Sequence, residues 1–266
     1  MPRVVSYILF GLFFVSISSG AIILFAYHPS VAFNSVQKIN YIIPYGNFFR
    51  KLHYFSSEIF TFFLLLHVAL ELSKKKLNLD SSSWNYSVIG FMLVFILMFT
   101  GFVLKADLSA NGAAEVTFNL IKDTPIINHT LNLIQDKTVF YYKFFIWHIL
   151  FLPTILIYAI YRHTRTLHVE VEYISIAFGI ALLSAFFISM PRDIVPTESI
   201  KNLTSPWFFF GAENLLQKAY APSIINLILI TPIFLLFAYY YVKNKTVIKI
   251  LLLLWLIAYT YISWFW

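Results

Sequence analysis

Long apolar runs, separated by shorter polar or basic segments, dominate the pattern of the chain. A helix that spans a bilayer needs about 20 mostly apolar residues. Runs of that length cover approximately residues 4–27, 50–73, 85–105, 139–162, 171–190, 222–242 and 247–265. The pattern therefore predicts an all-α polytopic membrane protein with about seven transmembrane helices.

The predicted helices divide into two parts, and their connections differ in length. We expect a four-helix part at residues 1–168 and a three-helix part at residues 169–266. The connections 28–49, 106–138 and 191–221 are long, and loops of such length are usually functional. The third combines prolines with a run of aromatic residues, which favours a position at the membrane interface.

Composition narrows the chemistry. The chain is 60% hydrophobic and 12% charged, whereas soluble proteins carry about 25% charged residues. It has no cysteine, which excludes disulfides, iron–sulfur ligation by thiolates and thioether-linked heme. Its net charge of +7 indicates membrane topology and no nucleic-acid partner. Because short basic loops stay in the cytoplasm, we expect the N-terminus there.

Four histidines fall inside the apolar runs as two pairs, His53 with His67 and His148 with His163. Fourteen residues of helix make just under four turns, about 21 Å, so His53 and His67 share one face at two depths. The fifteen residues of the second pair add about 100° of rotation, which a tilted or kinked helix absorbs. Ionisable residues inside a membrane usually mark a function.

The two histidine-bearing helices are predicted to run antiparallel, which pairs the histidines by depth. His53 then faces His148 near the outer surface, and His67 faces His163 near the inner surface. Two imidazoles on one iron suit reversible one-electron transfer, so we predict two b-type hemes with these four histidines as iron ligands. Any one of them alone is more often a satisfied structural residue, and it is the matched pairs that favour heme.

Small residues on two other predicted helices match the depths of the histidines. Gly20 and Gly101 lie at the level of the outer heme, and Ser6 and Ser87, fourteen residues earlier, lie at the level of the inner heme. We interpret them as room for a porphyrin edge, with ordinary small-residue helix packing as the alternative. Arg50, one turn before the first histidine, is either a propionate partner or an interfacial anchor.

These residues, and the order in which they follow one another along the chain, resemble the cytochrome b subunit of quinol–cytochrome c oxidoreductases. The resemblance extends over essentially the whole chain, with matching motifs at residues 20–29, 32–36, 45–46, 50–53, 66–68, 99–104, 143–148, 163 and 206–208. The second histidine spacing is similar to that of chloroplast and Gram-positive relatives, whose two parts are here fused in one chain. The resemblance implies two non-covalent hemes b, with quinone sites near the outer and the inner heme.

The same resemblance implies a place in a larger assembly. The outer site of such proteins oxidises quinol, sending one electron to a Rieske iron–sulfur protein and the other across the hemes. We therefore expect that protein and a c-type cytochrome, or an equivalent extrinsic redox subunit, as partners. We also expect a homodimeric complex in a bacterial plasma membrane, in which this subunit is not active alone.

The resemblance implies a quinol pocket lined by Pro206, Trp207 and Phe208, but this segment departs from the family. The family reads Pro-Glu-Trp-Tyr where this chain reads Ser-Pro-Trp-Phe, so the glutamate proposed as proton acceptor is missing there. Glu213 either fills that role or is a solvated loop acid. Lys105 stands where the family has a proline, and either reshapes the quinone pocket or extends to the interface.

Two further positions concern the inner side. Leu70 replaces an arginine of the family, which leaves the inner heme propionates to Lys74 and the two lysines after it. His168 has the offset at which relatives contact the inner quinone, where an imidazole relays a proton; the alternative is a surface loop histidine.

Two other functions stay open: a di-heme membrane anchor for a different extrinsic oxidoreductase, and a heme-free transporter or assembly protein with a histidine proton path.

Overall fold

The computed structural model describes residues 2–74, 79–122, 137–164, 170–197, 206–218, 220 and 222–265. Its α-helices in chain order are α1 (Pro2–Leu24), α2 (Ala32–Tyr41), α3 (Gly46–Ser73), α4 (Ser81–Leu104), α5 (Leu108–Lys122), α6 (Lys137–Ile146), α7 (Leu152–Thr164), α8 (Val171–Phe187), α9 (Phe210–Gln217), α10 (Pro222–Tyr241) and α11 (Lys245–Trp264). A π-helical turn, Trp147–Phe151, joins α6 to α7, and 3₁₀ turns cover Pro29–Val31 and Trp207–Phe209. No strand occurs in these ranges.

Six helical segments are long and apolar enough to cross a membrane. They are α1, α3, α4, the continuous segment formed by α6, the π turn and α7, and finally α10 and α11. Helix α8 is also apolar but has only 17 residues. The predicted all-α polytopic fold is thereby confirmed, with its fifth apolar run forming a shorter helix than expected.

Helices α1, α2, α3 and α8 form one compact unit, Met1–Asn78 with Thr164–Arg192. Helix α8 turns one row of small residues inward, each at most 2% exposed: Ala177, Ala181 and Ala185. Small residues four positions apart let two helices approach closely. On the facing helix α1, a Cβ at Gly11 would lie 2.7 Å from the Cβ of Ala177. This close packing holds α1, the helix that carries Ser6 and Gly20.

The second compact unit is Leu79–His163 with Asp193–Trp266. In it α4 packs against α6 and α10, and α9 packs against α11. The carboxylate of Asp80 caps α4 by accepting a backbone N–H of the first turn at 3.2 Å, which favours the start of a helix there. The indole N–H of Trp84 donates to the carbonyl of Leu236 at 2.8 Å. That bond satisfies a polar group in an apolar setting and ties α4 to α10.

Helix packing groups the chain differently from its division along the sequence. Helix α8 belongs to the predicted three-helix part, yet it packs with α1 and α3. The division into residues 1–168 and 169–266 stays a prediction about the functional parts of the chain.

Candidate functional site

His53 on α3 is held by α1 from two directions. Its Nδ1–H donates to the backbone carbonyl oxygen of Ser16 at 2.8 Å, because a carbonyl oxygen only accepts. Gly20, one turn further along α1, faces the same ring, and a Cβ there would lie 2.9 Å from Cε1 of His53. A Cβ at Gly20 would therefore crowd the imidazole itself, whereas the sequence interpretation assigned Gly20 to a porphyrin edge.

His67 lies fourteen residues further along α3 and contacts the same neighbouring helix. Its Nδ1 lies 3.4 Å from Oγ of Ser6, which precedes Gly20 by fourteen residues on α1. The contacts of α1 and α3 run in opposite directions along the two helices, so equal spacings produce two equivalent contacts. Helix α1 thereby holds two imidazoles that are separated by about 21 Å of helix.

A second helix pair repeats this arrangement. His148 in the π turn and His163 in α7 both contact α4. Nδ1 of His148 lies 3.0 Å from Oγ1 of Thr100, and a Cβ at Gly101 would lie 2.8 Å from Cε1 of the same ring. Nδ1 of His163 lies 2.6 Å from Oγ of Ser87. Again a glycine faces one ring and a serine faces the other, fourteen residues apart.

The hydroxyl partners decide which ring nitrogen carries the proton. Thr100 and Ser87 each donate their hydrogen to a backbone carbonyl of α4, at 3.0 Å and 2.7 Å. A hydroxyl has one hydrogen, so each of them accepts from the Nδ1–H of its histidine. A proton on Nδ1 and a lone pair on Nε2 of His53, His148 and His163 therefore satisfy all of these contacts together. An imidazole that binds a metal through Nε2 has its other N–H anchored in this way.

The π turn accounts for the unequal histidine spacings. The histidines of the second pair lie fifteen residues apart, one more than those of α3. The N–H of Leu152 donates to the carbonyl of Trp147, five residues back, and a π turn holds one residue more than an α turn. Pro153 follows directly and has no N–H, which disfavours regular α-helical bonding to the turn before it. The turn takes up the extra residue.

Each anchored imidazole can serve as a single ligand to a metal that receives its other ligands from a bound group. Among the described residues, no group of three or more His, Asp or Glu side chains is arranged to hold a metal ion. A heme needs only two axial side-chain ligands. Imidazoles with an anchored Nδ1–H have the chemistry for that axial position.

The described residues that were predicted to bind heme propionates, Arg50 and Lys74, each contact another side chain of the protein. Nη1 of Arg50 donates to Oδ1 of Asn40 at 2.9 Å, which joins α3 to α2. Lys74 pairs with Glu71, one turn earlier on α3, at 2.5 Å. The two lysines that follow Lys74 lie outside the described residues, and so does His168. Their roles at the propionates and at the inner quinone stay predictions.

The segment predicted to bind quinol begins at Pro206 and forms the 3₁₀ turn Trp207–Phe209, which we call the aromatic turn. Phe208 is 8% exposed, and its ring packs edge-on against Phe95 of α4 with centroids 5.5 Å apart. The hydroxyl of Tyr259 on α11 donates to the carbonyl of Phe208 at 2.7 Å. The aromatic turn is therefore fixed against two helices, and its tryptophan is 37% exposed.

Glu213 follows the aromatic turn in the first turn of α9, in a half-buried position. Helix α9 lies firmly on α11. Nδ2 of Asn214 donates to the carbonyl of Ile262 at 2.8 Å, and a Cβ at Gly211 would lie 2.7 Å from Cε2 of Tyr259. Glu213 is thus carried by a fixed helix, and its role as proton acceptor stays a prediction.

Sequence reasoning missed three residues of this region: Ser16, Thr100 and Asp107. Ser16 accepts through its backbone carbonyl, so its side chain carries no signal. Thr100 directly precedes Gly101, and a hydroxyl beside a glycine at the predicted heme level was a usable signal. Asp107, between α4 and α5, owes its contacts to a loop that no periodicity predicts.

Comparison with known proteins adds independent evidence. The family model described as Cytochrome b/b6/petB matches residues 4–171. The chain is 32% identical to cytochrome b of Schizosaccharomyces octosporus over 120 residues, which is 44% of this chain and 31% of that protein. It is 25% identical to cytochrome b of Theileria parva over 231 residues, 84% of this chain and 62% of that protein. The chain therefore spans less than two thirds of the length of these two relatives.

Two further similarities extend the comparison. The chain is 22% identical to cytochrome b6 of Heliomicrobium gestii over 169 residues, 59% of this chain and 78% of that protein. A solved structure titled hyperthermophilic respiratory Complex III has a TM-score of 0.75 at 17% identity, covering 99% of this chain and 83% of that one. At this identity the likeness shows a shared fold.

These findings confirm the family resemblance seen in the sequence. The family model covers more than half of the chain and includes all four histidines. Together with the six helical segments that are long and apolar enough to cross a membrane, the match indicates a multi-pass membrane protein. The chain therefore belongs to the cytochrome b/b6 family.

Proposed function

We propose that the chain is the di-heme cytochrome b of a respiratory bc-type complex, which oxidises quinol at an outer site and moves electrons across the membrane to an inner quinone site. The observation that carries this proposal is the repeated anchoring of four histidines by neighbouring helices. For three of them, the contacts of Nδ1 are satisfied together when the proton is on that nitrogen. A heme-free proton path does not favour such a fixed tautomer, because a relaying imidazole takes a proton on one nitrogen and releases it from the other.

The residues that the four imidazole rings contact group the rings into two pairs. His53 and His148 each face a glycine, whereas His67 and His163 each contact a serine. We assign the first two to an iron near the outer surface and the second two to an iron near the inner surface. About 21 Å of helix separates the two levels, which suits a hydrocarbon core of about 30 Å.

In heme binding, the role of the protein is to hold the imidazole rings in place. A heme with two imidazole ligands supplies reversible one-electron transfer with no open position for oxygen chemistry. An acceptor on Nδ1–H fixes the orientation of each ring and raises the basicity of Nε2. Arg50 is the proposed propionate partner at the outer level, since a guanidinium forms charge-assisted bonds with a carboxylate. Lys74 and the lysines after it are proposed for the inner level.

Quinol oxidation is assigned to the segment around the aromatic turn. Pro206, Trp207 and Phe208 line the proposed pocket, and Glu213 takes a proton from a quinol hydroxyl. The fixed position of the turn against α4 and α11 supports this assignment, as does the half-buried position of Glu213. On the inner side, His168 is proposed to relay a proton to the quinone that is reduced there.

The proposed activity needs other polypeptides, because the acceptor of the first quinol electron is not part of this chain. We propose a Rieske iron–sulfur protein and a c-type cytochrome, or an equivalent redox subunit, as partners in a homodimeric complex. The shared fold with a protein of a respiratory Complex III supports this. The proposed location is a bacterial plasma membrane with the N-terminus in the cytoplasm, in line with the basic short loops.

The direct test is a redox-titrated visible spectrum of the purified complex, with pyridine hemochrome quantification of heme per chain. We expect two b-type hemes, one of which is lost in His53→Leu and the other in His67→Leu. The matched control is His28→Leu, an exposed histidine outside the membrane-spanning helices, which keeps both hemes. A folded sample without heme, or two hemes retained in both span variants, would refute the assignment.

One observation favours a second function, a di-heme membrane anchor that links the quinone pool to a different extrinsic oxidoreductase. Lys105, where the family has a proline, forms an ion pair with the buried Asp107 near the proposed outer site. A polar pair there departs from the family's pocket. Identification of the co-purifying subunits separates the two functions: a Rieske protein supports the first, and another oxidoreductase supports the second.

A further inference from the structure

A buried carboxylate that the proposed function does not use lies between α4 and α5. Asp107 has a relative exposure of 0%. It follows Lys105 and Ala106, and Ala106 has a left-handed φ of 54°. The chain therefore turns sharply between the end of one helix and the start of the next, with the carboxylate on the inside of the turn.

Every oxygen of this carboxylate has a defined partner. Oδ1 accepts from the N–H of Ala110 at 2.8 Å, so Asp107 is the N-cap of α5. Oδ2 accepts from the N–H of Ile194 at 3.2 Å and pairs with Nζ of Lys105 at 2.8 Å. A buried carboxylate is tolerated when it is paired and hydrogen-bonded in this way.

The contact with Ile194 is reciprocal. The carbonyl of Ile194 accepts from the N–H of Leu108 at 3.0 Å, while its N–H donates to the carboxylate. Two hydrogen bonds therefore fasten the segment before the aromatic turn to the start of α5. Residue 194 is 87 positions away from Asp107 along the chain, so this is a tertiary contact.

The aromatic turn is the other fixed point of the same connection. Its phenylalanines pack on α4, Phe208 against Phe95 at 5.5 Å and Phe209 against Phe99 at 5.4 Å. The described residues on either side of this connection are thus held at Ile194 by the charged carboxylate and at the aromatic turn by aromatic rings. Loss of the Asp107 carboxylate leaves Ile194 held only by the hydrogen bond from the N–H of Leu108, so the segment before the aromatic turn is less firmly placed.

We infer that Asp107 is a positioning residue, which fastens the outer segment at Ile194 and so places the aromatic turn for quinol. Lys105 supplies the compensating charge, and its amine also lies 4.4 Å from the ring centroid of Phe102. Lys105, which departs from the family at this position, thus forms an ion pair with Asp107 instead of simply extending to the interface. The quinol part of this inference rests on the proposed function, whereas the fastening itself does not.

The test uses Asp107→Ser in the full chain, purified as its membrane complex. Serine is a good N-cap and retains the acceptor for Ala110, but it is one atom shorter and uncharged, so the bond to Ile194 is lost. The matched control is Asp80→Ser, the same change at the N-cap of α4. Hydrogen exchange measured by mass spectrometry over residues 191–197 reports the fastening, and quinol-dependent heme reduction reports its effect.

We expect exchange over residues 191–197 to become about ten- to a hundredfold faster in Asp107→Ser, the range of a hydrogen bond to a charged group. Exchange in the first turn of α5, the heme spectrum and the heme potentials stay as in the wild type, and the KM for quinol rises. Unchanged exchange in Asp107→Ser, or an equal increase in Asp80→Ser, would overturn the fastening.

The two readouts separate this inference from the proposed function. Faster exchange with an unchanged KM for quinol keeps the fastening and overturns its role in placing the turn. A wild-type complex whose hemes quinol does not reduce refutes the proposed function and with it that role, while the exchange data still decide the fastening. Asp107→Asn replaces the serine variant if the latter lacks heme, because asparagine caps a helix through its carbonyl oxygen and places an NH2 donor where Oδ2 accepts from the N–H of Ile194.

Discussion

Replacement of Gly101 by alanine tests the steric argument for the outer heme with a single methyl group. The new Cβ would lie 2.8 Å from Cε1 of His148, whereas ordinary contacts of a Cβ begin at 3.4 Å. The ring must therefore retreat by about 0.6 Å. A functional site is held to within about 0.5 Å by its supporting residues, so this displacement exceeds what axial ligation tolerates.

The same shift acts on the anchoring hydrogen bond. Nδ1 of His148 lies 3.0 Å from Thr100, and a lengthening of that size takes the pair beyond hydrogen-bond distance. Loss of such an anchor costs about ten- to a hundredfold in metal affinity. We expect Gly101→Ala to lose most of its outer heme, or to retain it with altered potential, while the inner heme stays at one per chain.

The chain provides a matched control on the same helix. At Gly90 the nearest atoms to a new Cβ are Cδ1 of Leu156 at 3.6 Å and Cβ of Ala159 at 3.8 Å, which are ordinary contacts. Alanine stabilises a helix interior by roughly 0.5–1 kcal/mol relative to glycine, so Gly90→Ala is neutral or stabilising. Heme per chain is measured by pyridine hemochrome and ligation by the low-spin spectrum. Two unaltered hemes in Gly101→Ala, or equal heme loss in Gly90→Ala, would refute the steric argument.

Three further predictions concern other contacts. Ser87→Ala removes the acceptor of the Nδ1–H of His163, so the inner heme binds about ten- to a hundredfold more weakly and its potential rises in a redox titration; an unchanged potential contradicts this. Deletion of Leu150 closes the π turn and keeps both hemes in the visible spectrum, whereas an alanine inserted after it turns His148 by about 100° and loses the outer heme. Tyr259→Phe leaves a carbonyl of the aromatic turn without its hydroxyl, which costs about 1–3 kcal/mol, seen as faster proteolysis at the turn with an unaltered heme spectrum.

Much of the helix architecture was predictable because it depends on local periodicity. Fourteen residues of α-helix return a side chain to nearly the same face, so the spacing of His53 and His67 shows two depths on one face. The same arithmetic identified Gly20 and Ser6 on the neighbouring helix. The 17-residue length of α8 was not predictable from its apolar run, because helix ends depend on local bonds that hydropathy does not record.

The tertiary contacts of the candidate site were less predictable, for reasons that differ from residue to residue. The acceptor of His53 is a backbone carbonyl of α1, which every residue has. The fastening of Ile194 by Asp107 joins positions far apart in sequence through an irregular loop, where no period links the two. The role of the two glycines beside a porphyrin edge stays a prediction, whereas the group that lies nearest to each of them in the structure is an imidazole ring.

The π turn is explained by the two helices that face the histidines. Gly20 and Ser6 are fourteen residues apart on α1, and so are Gly101 and Ser87 on α4, so both facing helices present their small residues with the same pitch. A continuous α-helix with fifteen residues between histidines would place the second ring about 100° away from the position that fourteen residues give. One of the two contacts of α4 would then be lost. A turn that absorbs one residue restores both, and Pro153 favours that turn beside His148. The irregular segment of this helix is therefore what keeps the second pair of imidazoles in register with its glycine and serine.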